Sequence, residues 1–384
     1  MAVRVAVVGA GIVGTLSALF LAGRGHRVDL YERDAELWSG ASAVNEGKVH
    51  LGGVYALGGA RTHEVMMRGA VEFAPCIEAA IGQRVDWDAV TGDPFDHLVM
   101  PDSLVSVDDL SRAYAAINQR AARVIGPSER YLGRRVDEVV DPRPHQDADT
   151  GLVAFSTQER AVDPLQLRAL VLGAIAAQPG ILVRTGTPVT DITTDDDQAT
   201  LHLSASAEGY DAVVNATWAW QNRFVTAARP RNFRVKAAVR LKPGIARRTV
   251  TMVQGPYGDV VAHRDHGYAS WYPTGRLITE EGIHPSAHAE AALDSISQRD
   301  DLVRSQLDAL AAIGVLPAGC DGESIGGIIV GDGAPDIDDP TSLLHDRPDF
   351  GAEANGRIVT PVTFKFTTGP LAARVAADTI EAWA

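Results

Sequence analysis

The sequence predicts an α/β fold of two interleaved parts, on three observations. A short, β-branched run, Val3 to Val8 (VRVAVV), leads directly into a complete GxGxxG. Strand-like, helical and strand-like patterns then alternate from Val3 to Arg33. Residues about 225–325 instead read as successive strands separated by turns. The first pattern belongs to a buried parallel sheet, and the last to an antiparallel one. At 384 residues the chain exceeds what one hydrophobic core usually holds, so two domains are expected.

The GxGxxG is Gly9-Ala10-Gly11-Ile12-Val13-Gly14, followed by the helical TLSALFLAGRG and a second strand, HRVDLYER. In such a module the first glycine makes a tight turn, the second lets backbone approach a pyrophosphate, and the third lets helix pack on strand. Ile12 and Val13 open the helix, whose N-terminus supplies N–H groups and partial positive charge for phosphates. Glu32, 18 residues beyond Gly14 and followed by Arg33, stands where a carboxylate accepts hydrogen bonds from an adenosine ribose. An acid there favours a free 2′-hydroxyl, hence FAD or NAD rather than NADP.

Composition excludes several other classes. An apolar fraction of 46% and a charged fraction of 22% describe an ordinary globular protein. A net charge of −14 argues against nucleic acid and means that any anionic substrate needs a local basic pocket. Cys76 and Cys320 are far apart and form no CxxC, which fits a reducing cytoplasm. Val5 to Gly23 has no charged residue, but glycines at 9, 11 and 14 interrupt it and no cleavage site follows, so neither a signal peptide nor a membrane anchor is expected. No zinc signature occurs, and no metal is expected.

Beyond the second strand, Ser42 to Tyr55 (SAVNEGKVHLGGVY) is glycine-rich and carries Lys48 and His50. Farther on, YDAVVNATWAW is an apolar strand ending in a small-residue turn. The C-terminal GRIVTPVTFKFTTGPLAARVAADTIEAWA reads as a strand, a polar turn and a closing helix. Together these segments resemble the FAD-dependent oxidoreductases of the D-amino-acid-oxidase (DAO) superfamily. The likeness is strongest at residues 1–60, moderate at 160–220 and 356–384, and confined to general layout elsewhere. It implies a Rossmann-like FAD-binding domain of the DAO type, residues 1–80, 160–224 and 326–384. That domain would interleave with an α+β substrate domain containing an antiparallel sheet, residues 81–159 and 225–325.

Asn45 to Tyr55 is similar to the NSGVIHAGVYY-type segment of L-2-hydroxyglutarate oxidases and the KLVHGGLRYL-type segment of FAD-dependent glycerol-3-phosphate dehydrogenases. Phe364 to Gly369 is similar to the GGKxTT turn of the latter. The resemblance implies that Ser42, Asn45, Gly47 and Lys48 lie over the cofactor and that His50 stands beside the flavin. It places Lys365, Phe366 and Thr367 near flavin N1 and C2=O, where positive charge favours the reduced form. Val189 would hold the adenine by its backbone, and Thr217 and Trp218 would border the dinucleotide. Two departures stand out. Trp218 occupies a glycine position of the family's ATG turn, and Val54 an arginine-like one, so neither relative's substrate is carried over.

His50 is read either as a general base or as a packing histidine, and Lys48 as facing the flavin or pairing with Glu46 in solvent. Tyr257, His263, Tyr272 and Arg276 are candidate substrate contacts on the sheet, with Arg276 a possible carboxylate or phosphate clamp. The HRDH of residues 263–266 reads as an exposed turn. The expected function is hydride transfer to non-covalent FAD from a CH–OH or CH–NH carbon of a small polar, anionic substrate. Amino acids and secondary amines are the alternative within that class. A catalytically altered flavin-binding protein, or an NAD enzyme using the module alone, are the rivals outside it. Oxygen, a quinone or a partner protein would accept the electrons.

Overall fold

Strand Arg4–Val8 is buried at four of its five positions because it lies inside a sheet, with a parallel neighbour on each side. A strand covered on both faces gains nothing from polar alternation, which explains its continuous apolar run. The computed structural model describes residues 2–225, 228–332, 346 and 349–384. The six-stranded sheet runs, in spatial order, 351–355, 358–362, 212–215, 4–8, 27–31 and 181–184. All its pairs are parallel except the hairpin of Gly351–Asn355 with Ile358–Val362. Helix Ile12–Gly23 follows the first strand and is buried at every position except Val13 and Gly23. It packs against helices Ala60–Ile81 and Gly369–Glu381. The uncharged N-terminal run is thus one core strand and one core helix. Among the described residues no helix is long and apolar enough to cross a membrane.

The second sheet has nine strands from residues 96–99, 145–146, 153–156, 231–282 and 322–331. It is antiparallel as expected, apart from the parallel pair of Asp96–Val99 with Val250–Val253. Its backbone is the long strand Arg231–Leu241, paired from Asn232 to Leu241 with Gly322–Gly331, a strand that runs across the expected boundary at residue 326. Helices Ala287–Ser295 and Asp300–Ile313 cover this sheet through Ala289, Leu302, Val303, Leu307 and Leu310.

Helix Val107–Val124 forms where the amphipathic VDDLSRAYAAINQRAARV predicts it, capped by the Ser106 hydroxyl. Asp163 accepts from the N–H groups of Leu165 and Gln166 and opens helix Pro164–Ala177 with proline at its first position. Between the two large sheets, Lys48–Val49 pairs with Arg160–Ala161. That two-residue ribbon sets the glycine-rich stretch against Glu159.

Candidate active site

A cleft of about 680 Å³ is lined from one side by the GxGxxG turn and from the other by the nine-stranded sheet. At the nucleotide end, Gly9 has φ 93°, and a Cβ there would stand 2.7 Å from the Ala216 carbonyl oxygen. A Cβ on Gly14 would fall 1.8 Å from the Gly9 carbonyl oxygen, so the helix packs on the turn only because residue 14 is glycine. Glycine at 11 makes room for Ser42, whose Oγ accepts the Ile12 N–H at 2.9 Å. Glu32 accepts the Ala10 N–H at 2.8 Å and lines the cleft. Arg33 lies 4.1 Å over the Trp220 ring, and both line the cleft with Val189 and Thr217. Glycine cradle, helix N-terminus and an acid lining the same end of the cleft together fit the dinucleotide half of FAD.

Trp218 also lines the cleft, at φ 54°. The backbone path is thus the one glycine favours, and the indole holds it by donating to the Ile328 carbonyl at 2.9 Å.

The glycine-rich stretch is held from within and from the C-terminal turn. The Asn45 amide donates to the carbonyls of Ala41 and Ser42, while its oxygen accepts the Gly47 N–H at 2.7 Å. Thr367 Oγ1 accepts the His50 N–H at 3.0 Å. Gly47 and Thr367 do not line the cleft; they fix residues that do. His50 lies edge-on to Tyr55, and Lys365 sits 5.8 Å over the Tyr55 ring. His50, Tyr55, Lys365 and Phe366 all line the cleft.

His50 Nδ1 lies 3.2 Å from Glu159 Oε2, and Glu159 is fully buried. Burial opposes the charge of Glu159, yet His50 and His97 hold its carboxyl well below the usual carboxylate range. The sequence reading missed Glu159. Its neighbourhood, TQERAVDP, carries no motif, and only the ribbon of residues 48–49 with 160–161 brings it to His50.

The wall formed by the nine-stranded sheet is strongly charged. Lys48 is buried and paired with Asp259 and the Thr251 hydroxyl, so the solvent pair with Glu46 does not form. Burial works against the charge of Asp259, but Lys48 and Lys236 keep its carboxyl below the usual value. Burial and Asp259 oppose the charge of Glu46 as well, and Lys236, Lys48 and Lys365 still lower it. Lys236 is held well above the usual lysine value against burial by Tyr268, Asp259 and Glu46. Arg234 is buried, donates to the Tyr272 hydroxyl at 3.2 Å, and leaves Nε without a partner. Four cations therefore face two carboxylates here, all lining the cleft.

Tyr257 and Tyr272 line the cleft as expected, with the Tyr257 hydroxyl donating to Asp102 at 2.8 Å. Arg276 does not line it and lies 5.3 Å over the Tyr272 ring; Arg234 occupies the place expected for it. Arg276 begins the edge strand next to a register shift in the pairing, whereas Arg234 and Lys236 project into the cleft from the long strand that crosses the sheet. The HRDH turn is not exposed throughout. Arg264 and Asp265 face solvent, but His263 is buried, outside the cleft, with its ring centroid 4.7 Å from that of His266 at a tilt of 33°. No cluster that could hold a metal occurs among the described residues.

These features coincide with an established family. A family profile described as "FAD dependent oxidoreductase" matches residues 4–379. The chain belongs to this DAO family of FAD-dependent oxidoreductases, and it is an enzyme that uses FAD. The glycine oxidase of Geobacillus kaustophilus superposes with a TM-score of 0.68 at 18% identity, covering 99% of this chain and 95% of that one. The FAD-bound L-α-glycerophosphate oxidase of Mycoplasma pneumoniae gives 0.61 at 16% identity, covering 99% and 95%. At such identities the likeness shows the fold. A stretch of 82 residues is 38% identical to the kynurenine 3-monooxygenase of Salinispora arenicola, covering 19% of this chain and 18% of that relative's length.

Proposed function

We propose that this enzyme oxidises a CH–OH or CH–NH carbon of a small anionic substrate. The observation that carries the reading is the surplus of positive charge on the cleft wall, next to a histidine backed by a buried carboxylate. FAD, when bound, supplies the hydride acceptor. Arg234 binds a carboxylate or phosphate through its unpartnered edge, with Tyr272 holding the guanidinium in place. His50 takes the proton of the substrate O–H or N–H at Nε2, since Nδ1 is engaged by Glu159. Lys365 contributes positive charge beside the ring system, and Lys48, tied to Asp259, fixes the wall rather than reaching substrate.

FAD is held without a covalent bond in this reading, since neither Cys76 nor Cys320 lines the cleft. The segments 1–80, 160–224 and 326–384 form the cofactor domain, except that strand Gly322–Gly331 goes with the nine-stranded sheet, and the remainder forms the substrate domain. A cytoplasmic location, with oxygen, a quinone or a partner protein as electron acceptor, completes the proposal. The test is anaerobic mixing of the holoprotein with hydroxy acids, polyol phosphates, amino acids and N-alkyl glycines, following loss of flavin absorbance. Reduction by hydroxy compounds or by amines decides between the two substrate types. No reduction by any of them would sink the reading and leave a flavin-binding protein with an altered site.

A further inference from the structure

Glu159 is an unusual carboxylate. It is fully buried, and among the described residues no lysine or arginine pairs with it. Its Oε1 accepts the N–H of Leu51 at 2.6 Å and of Gly53 at 3.0 Å. Its Oε2 faces two histidines, His50 Nδ1 at 3.2 Å and His97 Nε2 at 3.7 Å. A buried anion of this kind needs either a cation or a full set of donors.

The state of His97 follows from its other contact. Its Nδ1 lies 3.1 Å from the Tyr114 hydroxyl, which is buried against Phe155. Burial pushes the Tyr114 phenol up, so it keeps its proton and has it to donate to Nδ1 in the tautomer that leaves Nε2–H toward Glu159. His97 is then neutral, as its own burial also favours, with Nε2–H directed at Glu159. The opposite tautomer would aim a lone pair at a carboxylate. At 3.7 Å this contact is electrostatic rather than a hydrogen bond. Glu159 thus accepts two backbone N–H groups and faces the His97 N–H electrostatically, and His50 Nδ1 is the side-chain donor within hydrogen-bond reach of Oε2.

We propose that Glu159, braced by His97 and Tyr114, is the positioning residue that fixes His50 in its Nδ1–H tautomer and pairs with the imidazolium formed when Nε2 accepts the substrate proton. The proton remains on His50, because Glu159 is held as an anion and has no tendency to take it. The other charged groups around this histidine are Lys48 and Asp259, which neutralise one another, and Lys365 on the far side of Tyr55. Loop geometry agrees. A Cβ on Gly53 would stand 2.8 Å from His97 Cε1 and 2.9 Å from Val140 Cγ2, so only glycine lets this backbone donate to Glu159 beside His97.

The inference rests on His50 acting as the base, and the experiment separates the two claims. In ¹⁵N-histidine-labelled holoenzyme, with His50→Asn used for assignment, His50 should show a protonated Nδ1 and a bare Nε2. Glu159→Gln keeps an oxygen for Leu51 and Gly53 but removes the anion, and should give mixed tautomers. The rate of flavin reduction by the best substrate should fall about 10²-fold or more in Glu159→Gln, with half-saturation little changed. Adding Glu159→Gln to His50→Asn should cost almost nothing further, because the two act as a unit. An Nε2–H tautomer in the wild type overturns the proposal whether or not a substrate is found, and whether or not Glu159→Gln folds. So do additive losses in the double variant. The expected tautomer together with no flavin reduction by any substrate sinks the proposed function and leaves the positioning role standing.

Discussion

Position 218 shows how one side chain can hold a backbone it does not favour. At φ 54° a residue with a Cβ is strained by about 1–2 kcal/mol, and the Trp218 indole offsets this through its bond to Ile328. Trp218→Gly removes strain and indole together, whereas Trp218→Ala removes only the indole. Thermal unfolding should therefore find the glycine variant more stable than the alanine one by about 1 kcal/mol. Lys48 and Asp259 obey a different rule, that of a buried ion pair. Lys48→Met alone should cost about 3–5 kcal/mol by stranding Asp259, and adding Asp259→Leu should restore more than half, as read by urea unfolding. Arg234→Met should raise the substrate concentration for half-maximal flavin reduction about 10–100-fold at nearly unchanged limiting rate. Arg276→Met, outside the cleft, should leave both constants close to wild type.

The stretch from Ser42 to Tyr55 acts as an element although it is hardly regular. It is tied to the first helix by Ser42, to itself by Asn45, to the C-terminal turn by Thr367 and to the ribbon strand by Lys48 and Val49. Gly47 and Gly53 are close-approach sites, and Gly53 is the tightest against other side chains. Gly53→Ala should cost about 1–3 kcal/mol by overpacking against His97 and Val140. Flavin reduction should slow with it, since the shifted backbone withdraws a donor from Glu159. Much of this element was legible in advance. Its glycine content and its resemblance predict a cofactor loop; in the structure it lines the cleft, with His50 and Lys365 on either side of Tyr55. Its partners were not legible, because Glu159 and Asp259 lie more than a hundred residues away, one just before a two-residue strand and one in an unremarkable strand.

For the whole molecule, acid is the informative perturbation. Burial depresses His263 to about 4, from an ordinary value of 6.5. The neutral ring is favoured in the folded state, so its contribution is complete above about pH 6.5 and is lost as pH falls through 4. Burial opposes the charge of Asp147, but Arg248 and Thr150 lower it to about 2. Its contribution is present above the ordinary aspartate value of 3.8 and is lost as pH falls through 2. The unfolding temperature should thus stay level above about pH 7, then fall in an upper phase and again below pH 4. His263→Leu should shrink the upper phase. The sequence by itself determined the parallel nucleotide sheet, the glycine turn with Glu32, the helices at 107–124 and 164–177 and the loop that carries His50, because spacing, capping and periodicity are local properties. Tertiary structure alone decided that Arg234 rather than Arg276 faces the cleft, that Lys48 is locked to Asp259, and that Glu159 stands behind His50. Each of these depends on which strands become neighbours and which face of a strand is turned inward, and burial then makes the charge pairing obligatory.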